Sequence, residues 1–242
     1  YAKRIQDNIL PTAQKVKRLL KDGFVLFKPK DIVSGDFYWH YRREHIKVIA
    51  ACDCTGHGVP GAMVSVVCNT ALNRSINEFG LRAPGQIFDK TRELVLENFA
   101  KSDEEVQDGM DASLCAIDLN TKTLQWSGAN NPLWIYRKQQ QIIEEIKADK
   151  QAIGYGYETK PFTTHHISLH QGDIIYLFTD GYADQFGGPH GRKITRSKFR
   201  DFLLTCVDLP MEQQREKLLA FHDEYKGAQE QIDDICVIGV RV

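Results

Sequence analysis

Apolar and polar positions alternate along residues 34–54, and this period of two predicts a β-hairpin with its turn near residues 42–45. A shorter apolar run from Phe24 to Phe27, which ends before Pro29, predicts an earlier strand. Further apolar runs of strand length occupy residues 110–119, 123–127, 133–137, 142–146, 174–178 and 235–242. The pattern therefore predicts a protein built largely on antiparallel strands.

Apolar residues at helical spacing predict paired helices over residues 58–79 and 84–101, and again over about 195–206 and 210–225. Strand runs separated by helix pairs are typical of an α+β domain, here two packed, mainly antiparallel β-sheets flanked by pairs of helices. Residues 1–22 also have helical spacing, at Ile5, Ile9, Val16, Leu19 and Leu20, with a kink or a new helix start at Pro11. We divide the chain into a helical segment, residues 1–22, and one domain, residues 23–242.

Composition narrows the class of protein. The chain has 242 residues, 42% of them hydrophobic, and a formal net charge of −1, so the charge gives no reason to expect a nucleic-acid partner. No apolar run reaches the roughly 18 residues of a membrane-spanning helix. The chain begins at Tyr1 without a signal peptide, and we interpret it as a piece of a longer cytoplasmic protein, whose preceding region could tether it to a membrane. Six cysteines in apolar stretches predict buried, reduced thiols.

Four aspartates, each at the end of a predicted strand, are the candidate chemistry: Asp36, Asp53, Asp180 and Asp233. Each alone is typical of a turn. If the 34–54 hairpin has a tight turn, Asp36 falls opposite about Ala51, with Asp53 as its diagonal neighbour. If the strands 174–178 and 235–242 pair antiparallel, Asp180 and Asp233 reach the same edge. Clustered carboxylates need cations to stay ionised, and oxygen ligands suit Mg²⁺ or Mn²⁺, which points to metal-assisted hydrolysis of a phosphate ester.

Several motifs, taken in order, resemble one known family. They are Ser34-Gly35-Asp36-Phe37-Tyr38, Asp53-Cys54-Thr55-Gly56-His57-Gly58-Val59-Pro60-Gly61-Ala62, Gly109-Met110-Asp111-Ala112, Ser127-Gly128-Ala129-Asn130-Asn131-Pro132, Gly172-Asp173 with Thr179-Asp180-Gly181, and Asp233-Asp234. This combination resembles the PP2C-type metal-dependent phosphatases, specifically their bacterial SpoIIE/RsbU-like branch. The segment from Tyr1 to Pro11 is similar to the linker that joins such domains to an upstream sensor.

The resemblance implies an αββα sandwich and hydrolysis of phosphoserine or phosphothreonine on a partner protein by a hydroxide held between two Mn²⁺ or Mg²⁺ ions. It implies that Asp53 bridges both ions and that the backbone carbonyl of Cys54 is a further ligand. Asp180 and Asp233 would complete one metal, and Asp36 would serve the other, directly or through water. Asp111 matches the aspartate that some members use for a third, weaker ion.

Phosphate recognition departs from the family pattern, because no arginine matches the phosphate-binding arginine near the first strand. We hypothesise that Arg192 or Lys193, in the basic loop 187–193, helps to hold the substrate; the alternative is a plain surface loop. The roles of His57 and Asp234 stay open, between a metal ligand and a residue that supports the ligands.

Two other functions are consistent with the pattern: a degenerate phosphatase that acts as a docking module, and a phosphatase for small molecules. Turnover of p-nitrophenyl phosphate with Mn²⁺ discriminates an enzyme from a docking module. The expected partners are a phosphoprotein resembling an anti-sigma-factor antagonist, an upstream sensor, and a second copy of the chain paired through the N-terminal helix. The alternative for that helix is a cap packed on its own domain.

Overall fold

The computed structural model describes residues 1–9, 11, 13–100, 108–118, 120–156 and 159–242, with the backbone alone at residues 13, 14, 16 and 17. Its helices and strands follow in the order α1 (Ala2–Ile9), α2 (Ala13–Leu20), β1 (Gly23–Lys28), β2 (Phe37–Arg43), β3 (Ile46–Cys54), α3 (Gly58–Asn77), α4 (Pro84–Phe99), β4 (Gly109–Asp118), β5 (Thr123–Ala129), β6 (Leu133–Arg137), β7 (Ile142–Ile146), β8 (Ile153–Gly154), β9 (His165–Ser168), β10 (Ile174–Phe178), α5 (Gly181–Asp184), β11 (Phe186–Gly187), β12 (Arg192–Lys193), α6 (Thr195–Leu204), α7 (Met211–Lys226) and β13 (Ile235–Arg241).

Two antiparallel sheets form the centre of the fold. One has the strand order β1-β13-β10-β6-β7, and the other has the order β2-β3-β4-β5-β9 with β8 paired to β4. Their inner faces share one apolar cluster, to which Ile49, Cys115 and Trp126 contribute from the second sheet and Ile175 and Ile238 from the first. The sheets therefore pack face to face, as the α+β prediction required.

The outer faces of both sheets are covered by helices. Leu72 of α3 and Phe88 of α4 pack with Leu114 of β4, while Phe199 of α6 and Leu218 of α7 belong to the cluster on the first sheet. In β10 all five residues are buried, and alternate side chains enter the two clusters on either side. A central strand that is covered on both faces has a continuous run of apolar residues in its sequence. This explains why residues 174–178 could be predicted as a strand. The predicted αββα layering is confirmed.

The predicted hairpin is present, but its register differs from the prediction. Tyr38, rather than Asp36, lies opposite Ala51, and Phe37 lies opposite Cys52. The turn consists of two residues, Glu44 and His45, and is displaced by one residue toward the C terminus from the position assumed. Because register depends on the turn, this small difference moves Asp36 along the strand to the end of β3 that carries Asp53.

Element boundaries agree with the predictions to within a few residues, and the misses are short. Lys101 and Leu119, the predicted ends of a helix and a strand, lie outside the described residues. The sequence did not predict α5, β8, β11 or β12, because elements of two to four residues show no periodicity.

The N-terminal segment forms two helices rather than one. Helix α1 ends at Ile9 and α2 begins at Ala13, so the interruption lies around Pro11, as predicted. Leu19 and Leu20 of α2 are buried against the sheets. Within the described residues, no helix has the length and hydropathy to cross a bilayer.

Candidate metal centre

Strand pairing brings the predicted aspartates to one end of the sandwich. Asp53 at the end of β3 lies directly opposite Asp111 near the start of β4. The antiparallel pairing of β10 with β13 is confirmed, so Asp180 follows one strand and Asp233 precedes its partner at the same edge. These four aspartates line a single cavity of about 290 Å³, together with the 54–57 turn and residues from the β8 region.

Asp36 lies deeper than the other carboxylates. Its side chain is 2% exposed, and one oxygen accepts a hydrogen bond from Thr179 Oγ1 at 2.6 Å. The Thr179 hydroxyl also accepts the backbone N–H of Cys236 at 3.0 Å, so it is held between β10 and β13. The carboxyl of Asp53 also acts on the pKa of Asp36, and the charge of Asp36 raises the pKa of Asp53. The two carboxylates are therefore neighbours, although they come from different strands.

Glycines allow the backbone segments at this edge to approach each other closely. Gly56 has a positive φ of 81°, which turns the chain from β3 into α3. A Cβ at Gly35 would lie 2.3 Å from the Gly56 carbonyl oxygen, and a Cβ at Gly61 would lie 2.1 Å from the same atom. The loop before Asp36, the turn after Asp53 and the first turn of α3 therefore form one packed unit.

Burial and mutual repulsion disfavour the ionised carboxylates. Burial, followed by the charges of neighbouring aspartates, raises the pKa of Asp53 well above its ordinary value. Burial also raises the pKa of Asp36 well above its ordinary value, against the opposing effect of the Thr179 hydrogen bond. The pKa values of Asp111, Asp180 and Asp233 are raised as well, chiefly by burial. None of the ion pairs among the described residues includes any of these five side chains.

The donor set fits a hard divalent cation. Within the described residues no three His, Cys, Asp or Glu side chains already have the spacing of metal ligands, so the fit rests on the type and number of donors. Buried and half-buried carboxylates that have no ion-pair partner among the described residues suit Mg²⁺ or Mn²⁺. The thiol of Cys54 does not change this, because burial raises its pKa well above the ordinary value and keeps it neutral. A role for Cys54 would therefore use its backbone carbonyl.

Two residues whose roles the sequence left open have hydrogen-bond partners within the protein. Both carboxylate oxygens of Asp234 accept backbone N–H groups at 2.8 Å, one from Lys30 and one from Gly35, so Asp234 ties the loop before Asp36 to the start of β13. His57 lines the cavity, but its Nδ1 lies 3.1 Å from Asp31 Oδ2 and its Nε2 lies 3.2 Å from Lys30 Nζ. Both ring nitrogens are therefore already engaged.

Arg192 and Lys193 lie in β12, outside the group of residues that line the cavity. Lys193 Nζ is paired with Asp184 at 2.7 Å and lies over the ring of Phe186. One cation that acts on the carboxylates is Arg196, in the first turn of α6, since its charge lowers the pKa of both Asp111 and Asp180. The sequence analysis predicted a helix over about 195–206 but gave Arg196 no role.

Asn130 is a second residue that the sequence reasoning did not single out. Its Nδ2 donates to Asp111 Oδ1 at 2.8 Å, and its backbone has a positive φ of 56°. The backbone N–H of Asn130 is bonded to the carbonyl of Asp149 at 2.9 Å, which holds this strained turn in place. The sequence did contain a signal for this turn. Asparagine tolerates the left-handed backbone region, and Asn130 stands between Ala129 and Asn131-Pro132.

A face-to-face antiparallel sandwich between helix pairs, with an aspartate cluster at one edge, is the architecture of PP2C-type phosphatase domains. The family model described as Stage II sporulation protein E (SpoIIE) matches residues 45–242. The chain belongs to this SpoIIE family, and it is a serine/threonine phosphatase domain of the PP2C type.

Individual relatives agree with this assignment. The chain is 25% identical over 242 residues to phosphoserine phosphatase RsbP of Bacillus subtilis (strain 168), covering 100% of this chain and 57% of RsbP, so it spans little more than half of that relative. Among solved structures, the SiaA-PP2C domain of Pseudomonas aeruginosa is 32% identical, with a TM-score of 0.89, over 100% of this chain and 94% of that one. RsbX in complex with magnesium shares the fold at 13% identity and a TM-score of 0.61, over 90% and 92% of the two chains.

Proposed function

We propose that this domain hydrolyses phosphoserine or phosphothreonine on a partner protein, with two Mn²⁺ or Mg²⁺ ions held by its aspartates. One observation carries the proposal: four half-buried aspartates from separate segments line one cavity close to the buried Asp36, and none of the five has an ion-pair partner among the described residues. The RsbX structure, which contains magnesium, supports the choice of cation. When bound, divalent ions supply a Lewis acid and a water of lowered pKa.

In this proposal each residue has the role that the family resemblance implies. Asp53 would serve both ions, Asp180 and Asp233 would complete the side chains that hold one of them, and Asp36 would serve the other, directly or through water. The backbone carbonyl of Cys54 would add an oxygen, and Asp111, at the cavity wall, would serve a third and weaker ion. Thr179 and Asn130 orient carboxylates through hydrogen bonds, since each donates to one oxygen of its aspartate. The reaction needs no nucleophilic side chain of the protein.

Turnover tests this function directly. We expect Mn²⁺- or Mg²⁺-dependent hydrolysis of p-nitrophenyl phosphate and of a phosphoserine protein, abolished by EDTA and restored by Mn²⁺. Full activity in excess chelator would contradict the metal mechanism. Absence of turnover at saturating Mn²⁺ would favour the second candidate, a docking module, which the complete set of predicted carboxylates argues against.

The partners are part of the same proposal. RsbP is named a phosphoserine phosphatase, which supports a phosphoserine protein as substrate, and we propose a protein that resembles an anti-sigma-factor antagonist. RsbP is longer than this chain, which is consistent with residues 1–22 linking the domain to an upstream sensor. Six free cysteines, all buried, fit a reducing cytoplasmic location.

We also propose that α1 pairs with its copy in a homodimer. Ile5 is 49% exposed although it is the apolar residue at the centre of this short helix, and such a helix is marginal without a partner surface. Ile5→Asp with Ile9→Asp should alter dimerisation and activity together. Sedimentation and metal-titrated turnover check this: a monomer in both proteins with unchanged metal affinity would end the idea.

A further inference from the structure

One side chain of α1 points into the domain. Gln6 is 6% exposed, while Ile5 and Asp7 on either side of it are exposed. Its Oε1 accepts the backbone N–H of Ser34 at 3.0 Å, and its Nε2 donates to the backbone carbonyl of the same residue at 2.6 Å. A primary amide that satisfies both backbone groups of one residue determines the orientation of that residue as well as its position.

The segment that Gln6 holds leads directly to Asp36. Ser34 is fully buried and lies two residues before Asp36. The next residue, Gly35, donates its N–H to Asp234 at 2.8 Å and packs against the Gly56 carbonyl, where even a Cβ has no space. The loop is therefore held by Gln6 on one side and by Asp234 and Gly56 on the other. A small displacement of Ser34 has to move Asp36.

Gln6 also contacts the helix that follows Asp53. Its Nε2 lies 3.4 Å from Ser65 Oγ in α3, and that hydroxyl donates to the Ala62 carbonyl at 2.8 Å. Because α3 begins four residues after Cys54, one amide spans the segments that precede Asp36 and follow Asp53. These two carboxyls are close enough for each to act on the pKa of the other.

We propose that Gln6 is a positioning residue of the metal centre, so that docking of α1 sets the affinity of the ion served by Asp36. This inference rests on the proposed two-metal function. When α1 is docked, the Ser34 N–H and carbonyl are both paired and Asp36 is held beside Asp53. When α1 moves away, these buried backbone groups lose their partners and the loop must rearrange to satisfy them. The N-terminal segment thereby communicates with the carboxylates through a specific pair of hydrogen bonds.

Two substitutions of Gln6 separate positioning from packing. Gln6→Ala removes the amide, whereas Gln6→Glu keeps its size and its acceptor but places a carboxylate oxygen against the Ser34 carbonyl. Asn8→Ala is the matched control, because Asn8 is an exposed amide on the same helix, and its side chain donates to the Arg4 carbonyl within that helix. The circular dichroism and melting temperature of all four proteins establish that they are folded.

The first readout needs no activity. Hydrogen exchange in EDTA should be faster in the peptide containing Ser34 to Phe37 in both Gln6 variants than in the wild type and Asn8→Ala. The second readout is Mn²⁺ binding, followed by the electron paramagnetic resonance signal of free Mn²⁺. We expect the Mn²⁺ concentration at half-saturation to rise about 10-fold in the Gln6 variants, the scale found for residues that support metal ligands, and kcat to recover at saturating Mn²⁺.

The outcomes are distinguishable. Unchanged exchange in the Ser34 peptide, or a lower melting temperature with wild-type Mn²⁺ binding, would overturn the positioning role and leave the proposed function intact. If the wild type neither binds Mn²⁺ nor turns over substrate, the proposed function fails, and with it the role of Gln6 at a metal centre. Equal losses in Asn8→Ala would assign the effect to α1 in general and would also overturn the proposal.

Discussion

Among the residues that the structure describes, aspartates are buried at two places, and the surroundings of these two places differ. At the turn before β10, Asp173 is 1% exposed, pairs with Arg137 at 3.0 Å, and accepts backbone N–H groups from Lys138 and His170. At the cavity edge, Asp36 is 2% exposed and has a hydroxyl donor from Thr179, with Asp53 as its neighbour. Asp173 therefore has a counter-charge within the protein, whereas the neighbours of Asp36 are further aspartates.

This difference distinguishes a carboxylate that stabilises the fold from one that is suited to bind a cation. A buried carboxylate with an arginine and two amide donors has its desolvation cost offset within the protein. A buried carboxylate among like charges is destabilising by itself, and such sites are tolerated where a ligand supplies the missing charge. The two sites therefore predict opposite responses to the same chemical change.

The largest expected effect comes from Asp53→Asn, which removes the charge that serves both ions in the proposed function. We expect phosphatase activity to fall by at least about 100-fold while the fold survives. In EDTA the variant should melt at a higher temperature than the wild type, because one repelling charge is gone. Asp180→Asn and Asp233→Asn should act likewise. If Asp53→Asn keeps most of its phosphatase activity with the metals still bound, the two-metal assignment of Asp53 is wrong.

Asp173→Asn is the matched control at the other site. Losing the charge opposite Arg137 should lower the free energy of unfolding by about 2 kcal/mol, the scale of hydrogen bonds to charged groups. Turnover at a temperature where the variant is folded should equal that of the wild type. Denaturant melts with parallel activity assays check both parts. A stable variant with reduced turnover would show that the comparison between the two sites is wrong.

The next prediction concerns which cationic side chain binds the phosphate group of the substrate. Arg196 acts electrostatically on Asp111 and Asp180, so Arg196→Ala should raise the KM by about 10-fold for p-nitrophenyl phosphate and for a phosphoprotein alike. If the loop 187–193 helps to hold a phosphoprotein, Arg192→Ala with Lys193→Ala should raise the KM for the phosphoprotein more than for p-nitrophenyl phosphate. Equal KM values for this double variant and the wild type on both substrates would rule out the loop.

The smallest effect is a pH dependence of stability in the metal-free protein. Burial and repulsion raise the folded pKa of Asp53 above its unfolded value of about 3.9. A carboxyl with a raised folded pKa contributes stability below the unfolded value, and this contribution is lost as the pH rises through the folded value. The melting temperature of Asp53→Asn in EDTA should therefore increasingly exceed that of the wild type as the pH rises from about 4 to 8. A constant difference across this range would contradict the repulsion.

Much of the fold could be predicted because its elements follow local rules. The helices covering residues 58–79 and 84–101, and strands such as Ile142–Ile146 and Ile174–Phe178, were visible from hydrophobic spacing alone. The positions of Asp36, Asp53, Asp180 and Asp233 at strand ends followed from the same spacing. The sequence thus determined the layers, the class of enzyme and the candidate ligands, since each depends on residue order or on short-range periodicity.

Tertiary structure alone decided which groups surround those ligands. The two-residue turn at Glu44-His45 set the register that brings Asp36 beside Asp53. Packing across the chain placed Gln6 on Ser34, 28 residues away, and Thr179 on Asp36, 143 residues away. The fold also brought Arg196 of α6 near enough to act electrostatically on Asp111 and Asp180, whereas Lys193 pairs with Asp184. Such contacts depend on turn geometry and on packing between distant segments, for which the sequence has no local signal.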